Sequence, residues 1–130
     1  MKELSELEDK LKVTFNDKNL LQTALTHRSY LNENPSWHLP QNERLEFLGD
    51  AVLELAVTHY LYLNFENPEG ELTSYRAALV NSIMLADVAN ALGMGDFLLL
   101  SRGEAKDEGK ARMYILANTF EAIVGAIYLD

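Results

Sequence analysis

Apolar residues recur at helical spacing along most of the chain. In SELEDKLKV, Leu4, Leu7 and Leu11 fall on one side of a turn-and-turn-about pattern, which predicts a short first helix. A second helix is predicted over DKNLLQTALTHRSY, capped by Asn16 or Asp17, with Leu20, Leu21, Ala24 and Leu25 facing inward. The Asn, Pro and Ser residues of LNENPSWHLPQN mark a loop. The stretch QNERLEFLGDAVLELA, from Gln41 to Ala56, reads as one helix that is apolar almost all the way round. It continues through HYLYLNF until Asn67, Pro68 and Gly70 break it. ELTSYRAALVNSIMLADVANALG predicts a single long helix stopped at Gly93. GMGDFLLLSRGEAKDEGK holds one apolar run, FLLL, read as a helical turn in preference to a strand, and then a mixed-charge loop. ARMYILANTFEAIVGAIYLD completes the pattern as a last helix. No strand alternation and no repeat emerges, so the expected fold class is all-α, a helical bundle.

Composition narrows this picture. At 130 residues, 48% of them hydrophobic, the chain suits one domain with a real core, spanning 1–130. No apolar run reaches the roughly 18 to 20 residues that a bilayer span needs. The opening MKELSELEDK is charged and lacks the apolar centre of a signal peptide. With no cysteine there is neither a disulfide framework nor a thiolate zinc site. These features lead to an expectation of a cytoplasmic protein that does not enter membranes. The helical pattern is still strong at Asp130, which suggests a domain trimmed at its C-terminal end. A net charge of −9 weighs against strong unaided binding to nucleic acid. It does not exclude a metal-dependent nuclease, because clustered carboxylates that hold divalent ions reverse their local sign.

Charge placement then matters more than charge total. On a helical wheel, Glu43, Glu46 and Asp50 fall within about 60° of one another. Like charges at such spacing repel, and Arg44 points well away from them. The pattern has two readings. The blander, and the commoner for an arbitrary helix, is a solvated face extended by Glu54. The sharper is a set of hard oxygen donors awaiting magnesium or manganese. In the last helix, Asn118 and Glu121 also share a side, with Ala122 and Gly125 close by. Small residues there would let another helix approach closely, so that Glu46, Asp50, Asn118 and Glu121 converge. The alternative is a simple Ala/Gly helix contact with Glu121 left in solvent. The spacing alone does not separate the two.

NERLEFLGDAVLEL closely resembles the signature of the ribonuclease III family. LLQTALTHRSYLNEN looks like that family's leading helix, ELTSYRAALVNSIMLADVANALGMGDFLLLSRGE resembles its middle, and ILANTFEAIVGAIYLD is similar to its second acidic motif. The resemblance implies an all-helical, homodimeric endonuclease domain. It implies cleavage of double-stranded RNA with divalent metal, normally Mg2+, with Mn2+ as a substitute, leaving 5′-phosphate and 3′-hydroxyl ends. By motif position, Glu46, Asp50 and Glu121 match the metal-binding acids, and Asp50 and Glu121 match the two most directly tied to hydrolysis. Glu43 matches an auxiliary acid at the cleft. Phe47 matches an aromatic that plugs the partner subunit, although for a monomer it would read as an ordinary core residue.

Two departures from the family pattern stand out. Asn118 occupies a position that is usually Asp; it keeps a carbonyl oxygen able to ligate Mg2+ but removes a negative charge. It therefore raises an alternative, a catalytically impaired binding or assembly module. Second, many bacterial members carry a double-stranded-RNA-binding domain after this one, so the chain resembles a shortened long form. Among other residues, His27 is expected to be a helix-packing residue before a catalytic base. Trp37 and His38 are expected to pack within their loop, and His59 to lie on the surface. Arg102, Lys106, Lys110 and Arg112 form the best local basic patch, either for phosphates or as part of a solvated loop. Arg28 and Arg76 read equally as partners of structural acids or as substrate contacts. Core packing suffices to explain Met84, Met94 and Met113.

Overall fold

A computed structural model describes residues 2–130. The first helix, α1 (Leu4–Leu11), buries Leu7 completely and half-buries Leu4 and Leu11, as their spacing requires. It ends at Lys12, whose left-handed backbone lets its N–H reach back to the carbonyls of Glu8 and Asp9. Glu8 is the buried acid of this helix. It accepts from the Phe15 N–H at 2.6 Å and from Lys18 Nζ at 2.7 Å, so its charge has partners on both sides. Those two bonds, the lysine first, hold its carboxyl below the ordinary carboxylate range.

The expected second helix is two helices. α2 (Lys18–Ala24) starts at Asp17, whose side chain accepts from the Asn19 N–H. α3 (Arg28–Glu33) follows after a joint at Leu25–His27, where the backbone leaves the helical conformation of Leu25 and is extended by His27. Nothing in the sequence ALTH breaks a helix; the joint is fixed by remote backbone instead. Leu99 donates to the Leu25 carbonyl at 2.9 Å and accepts from the His27 N–H at 3.0 Å, a one-residue parallel bridge beside Thr26. Buried Asn42 adds two bonds, from its N–H to the Thr26 carbonyl and from its side-chain amide to the Ala24 carbonyl. The FLLL run accordingly divides: Met94–Phe97 is a 3-10 turn, while Leu98 and Leu99 are extended to make the bridge.

α4 (Glu43–Asn64) is the long helix that the pattern predicted. The single helix expected over 71–93 is instead α5 (Glu69–Leu79) and α6 (Ser82–Ala91). One residue, Asn81, serves both ends at the break. Its amide donates to the last carbonyls of α5, at Ala77 and Ala78, and its oxygen accepts from Met84 N–H in α6. Met84 itself is exposed and does not pack in the core, because this break turns it outward; Met94 is buried and Met113 lies against the core edge. α7 (Arg102–Lys106) is capped by Ser101, and α8 (Lys110–Leu129) closes the chain.

α8 is the axis of the bundle. Its apolar residues go nearly all round, and the core forms where α2, α4 and α6 pack on it, with Leu116, Ala122, Ile123 and Ala126 all but inaccessible. Asp130 ties the end of α8 back to the start of α2, accepting from the N–H groups of Asn16 and Asp17 at 2.9 Å each. Among the described residues no helix is long and apolar enough to cross a membrane.

Candidate metal centre

The geometry of the site begins with two glycines. α4 and α8 cross with Gly49 against Gly125, backbone on backbone. A Cβ added to Gly49 would collide with the Glu121 carbonyl and sit 2.9 Å from the Gly125 nitrogen. One added to Gly125 would collide with the Leu45 carbonyl and lie 3.1 Å from the Gly49 nitrogen. Helix axes can approach this closely only where neither side carries a side chain. Gly125 and Ala122 were legible as small residues. Gly49 was missed, although a glycine inside a helix, where it is disfavoured by about 1 kcal/mol relative to Ala, is itself a signal.

This crossing sets the flanking acids of both helices side by side. The Asp50 and Glu121 side chains come within hydrogen-bonding reach of each other. Burial, then Asp50, then the charge of Glu46 push the Glu121 carboxyl up to about 8. Glu46 is raised as well, first by burial and then by the charges of Glu43 and Asp50. Glu46 and Asn118 face a common cleft of about 350 Å³, with Glu43, Arg28 and His27 on its walls. Glu43 is held loosely by Arg28 at 3.7 Å, both side chains being largely in solvent. The ion pairs of the described residues include none to Glu46, Asp50 or Glu121. Glu46 and Asp50 therefore act on Glu121 by charge with no ion-paired cation among the described residues, although Asp50 and Glu121 do not line the cleft that Glu46 enters.

Among the described residues no three His, Cys, Asp or Glu side chains stand as a ready-made metal cluster. The donor chemistry nevertheless fits a hard dication. All four groups offer oxygen, and burial first, then Asp50 and Glu46, push the Glu121 carboxyl up to about 8, so the place favours added positive charge. The half-buried Asn118 adds a neutral oxygen or amide to the same cleft.

His27 is not the helix-packing residue expected of it. Because α2 ends early, His27 stands outside both helices and caps α3: its Nδ1 accepts from the Ser29 N–H at 3.2 Å and lies 2.7 Å from Ser29 Oγ. Its ring is half-buried on the cleft wall, and that burial lowers its affinity for a proton. Trp37 packs between Tyr30 and His38 within its loop, and His59 is exposed, both as expected. Of the basic patch, Arg112 is taken up by the terminal carbonyls of α7, whereas Lys106, Lys110 and Arg102, the last 3.8 Å from Glu33, stay exposed. Arg76 serves structure, bonding Thr58 at 2.9 Å beside Glu54.

Comparison with known proteins adds an independent line. The family model described as Ribonuclease-III-like matches residues 17–130. Ribonuclease 3 of Fusobacterium nucleatum is 49% identical, over 100% of this chain and 56% of its own length. Ribonuclease 3 of Oceanobacillus iheyensis is 51% identical, over 98% of this chain and 57% of its own. The chain therefore spans little more than half the length of these curated relatives. Among solved structures, the nuclease domain of ribonuclease III from Campylobacter jejuni, described with structural flexibility in a region involved in dimer formation, superposes with a TM-score of 0.87. It is 48% identical, with 98% of this chain and 85% of that one covered.

Proposed function

The chain belongs to the ribonuclease III family, and from that premise we propose that it is a divalent-metal-dependent endoribonuclease acting on double-stranded RNA. Hydrolysis of phosphodiesters in each strand leaves 5′-phosphate and 3′-hydroxyl ends. The observation that carries this reading is the Gly49–Gly125 crossing, which puts Asp50 against Glu121 with no protein cation between them.

In this reading Glu46, Asp50, Asn118 and Glu121 hold Mg2+, or Mn2+ in its place. When bound, such an ion supplies Lewis acidity, lowering the pKa of a water and offsetting charge on the phosphate under attack. The chain's own residues prepare for it. Asp50 and Glu121 are anchored on two backbones in contact, so their separation cannot relax by helix movement. Glu121 gives up its proton when positive charge arrives, since the carboxylates that raise its pKa are then neutralised. Glu46 reaches the same place from one turn earlier in α4, and Glu43 with Arg28 forms the lip of the cleft. A surface of net charge −9 gives duplex RNA little attraction of its own, so association follows divalent ion concentration and weakens steeply with monovalent salt.

The proposed assembly is a homodimer with Phe47 at the contact. Phe47 is 84% exposed at the start of α4, and Leu55, Tyr62, Leu63 and Ile83 are also largely bare, more apolar surface than a monomer ordinarily shows. The deciding experiment is cleavage of long duplex RNA in Mg2+ at low salt by wild-type protein and by Asp50→Asn. Wild-type cleavage that Asp50→Asn abolishes is expected. Folded wild-type protein that leaves the duplex intact, or an Asp50→Asn protein that cuts as well as wild type, would overturn the reading.

A second reading rests on Asn118. With one charge fewer in the cleft, the domain serves as a binding or assembly module with impaired cleavage. Restoring Asp at this position separates the two.

A further inference from the structure

The cleft has a donor wall as well as an acid wall, and His27 with Arg28 forms the donor wall. The hydrogen bonds around its ring fix the tautomer. The Ser29 N–H points at Nδ1, so Nδ1 is an acceptor. Ser29 Oγ already accepts from the Ser101 N–H at 2.9 Å, which leaves its own proton to donate to Nδ1 at 2.7 Å. The ring proton therefore sits on Nε2. Nε2 makes no hydrogen bond with the described residues, yet it is not among the buried atoms left without a partner; it opens to the cleft.

Two clefts meet at this ring. The first, of about 350 Å³, holds Glu43, Glu46 and Asn118. The second, of about 440 Å³, runs on past Asn32, Glu104 and Tyr114. Both are lined by His27, Arg28, Ile115 and Asn118, so they form one groove with His27 and Asn118 at its waist. A continuous groove suits a chain-like ligand, and fixed donors beside a dication site suit an anionic one.

Resting on the nuclease reading above, we propose that His27 is a substrate-contacting residue whose Nε2–H donates a hydrogen bond to a phosphodiester oxygen of the RNA strand in this groove. Nδ1, engaged in capping α3, locks the ring so that the donor is held in place before substrate arrives. Arg28, next along the chain and largely exposed, adds charge to the same wall.

The two nitrogens can be separated by substitution. His27→Asn retains a short acceptor for the Ser29 N–H, among the best helix N-caps, but removes the distal donor. His27→Gln places an amide N–H near the position of Nε2 and forfeits the cap. His27→Asn should melt within about 2 °C of wild type, yet show kcat/KM on duplex RNA reduced roughly tenfold or more. In the Asp50→Asn background, where the duplex is not cut, it should also bind labelled duplex RNA more weakly in low-salt buffer with Mg2+. His27→Gln should melt lower than His27→Asn and cleave faster. His27→Asn that cleaves and binds like wild type would overturn the inference. So would losses that simply follow melting temperature in both variants, since that is the signature of a purely structural cap. If wild-type protein neither cleaves nor binds duplex RNA, the nuclease reading fails and takes this inference with it; wild-type cleavage insensitive to His27→Asn removes the inference alone.

Discussion

Residue chemistry at the site turns on charge that lacks a partner. Glu121 carries the clearest consequence. Its folded-state pKa of about 8 lies above the ordinary carboxylate value of 4.5, so between those values the folded chain binds a proton that the unfolded chain has released. Linkage then makes stability fall as pH rises through that window. In metal-free buffer the melting temperature should decline from mildly acidic conditions to about pH 8. Added Mg2+ should raise it most at the alkaline end, where Glu121 is ionised. Calorimetric or fluorescence melting with and without Mg2+ checks this; a metal effect independent of pH would count against the shared site. Asn118 supplies a second prediction. Asn118→Asp adds an anionic ligand and should lower the Mg2+ concentration for half-maximal cleavage roughly tenfold. A large gain in maximal rate as well would favour the impaired-module reading, whereas an unchanged maximal rate would show that Asn suffices. The residue types were legible in the sequence: Glu46, Asp50, Asn118 and Glu121 all stood out as oxygen donors at helical spacing, although only Glu46 and Asn118 line the cleft. The role of His27 was not, because it depends on where α2 stops.

Elements place those residues, and here periodicity was informative within helices and blind at their joints. α1, α4 and α8 follow their apolar spacing. The breaks at Leu25–His27 and Val80–Asn81 do not, because each depends on hydrogen bonds that periodicity leaves out. The first draws on Leu99 and Asn42, remote in sequence; the second on an Asn whose flexible amide serves two helix ends at once. The α4–α8 crossing is the element-level feature on which function depends. Gly49→Ala should force the two backbones apart, destabilise the chain by about 3 kcal/mol, and lower cleavage beyond what the lost stability explains, since Asp50 and Glu121 separate together. Urea denaturation followed by activity at a temperature where the variant is folded makes the comparison. A Gly49→Ala protein with wild-type stability would contradict the close crossing.

At the scale of the whole molecule, the distribution of apolar surface becomes intelligible. α8 is apolar nearly all round because its middle, Ile115 to Ala126, is packed by α2, α4 and α6, while Tyr128 and Leu129 at its end stay exposed. α4 is apolar nearly all round for a different reason: one side packs on α8, while Phe47, Leu55, Tyr62 and Leu63 remain outside. The expected partner is a second copy, which gives the last prediction. Sedimentation equilibrium should show a dimer for the wild type, and Phe47→Glu should shift it toward monomer with its helical circular dichroism retained. A wild-type chain that sediments as a monomer at micromolar concentration would remove the assembly proposal.

The sequence by itself determined the fold class, the main helices, the family likeness and the identity of the oxygen donors, because these depend on residue type and on spacing within one helix. Only the tertiary structure decided that Asp50 of α4 meets Glu121 of α8, that Gly49 and Gly125 let the two helices approach, and that His27 lines the cleft of Glu46 and Asn118. Those outcomes depend on distances between segments some 70 residues apart along the chain, which local pattern does not encode. They were settled when two backbones came into contact and half-buried Glu46 and Glu121 beside exposed Asp50, raising the charge demand that the site presents.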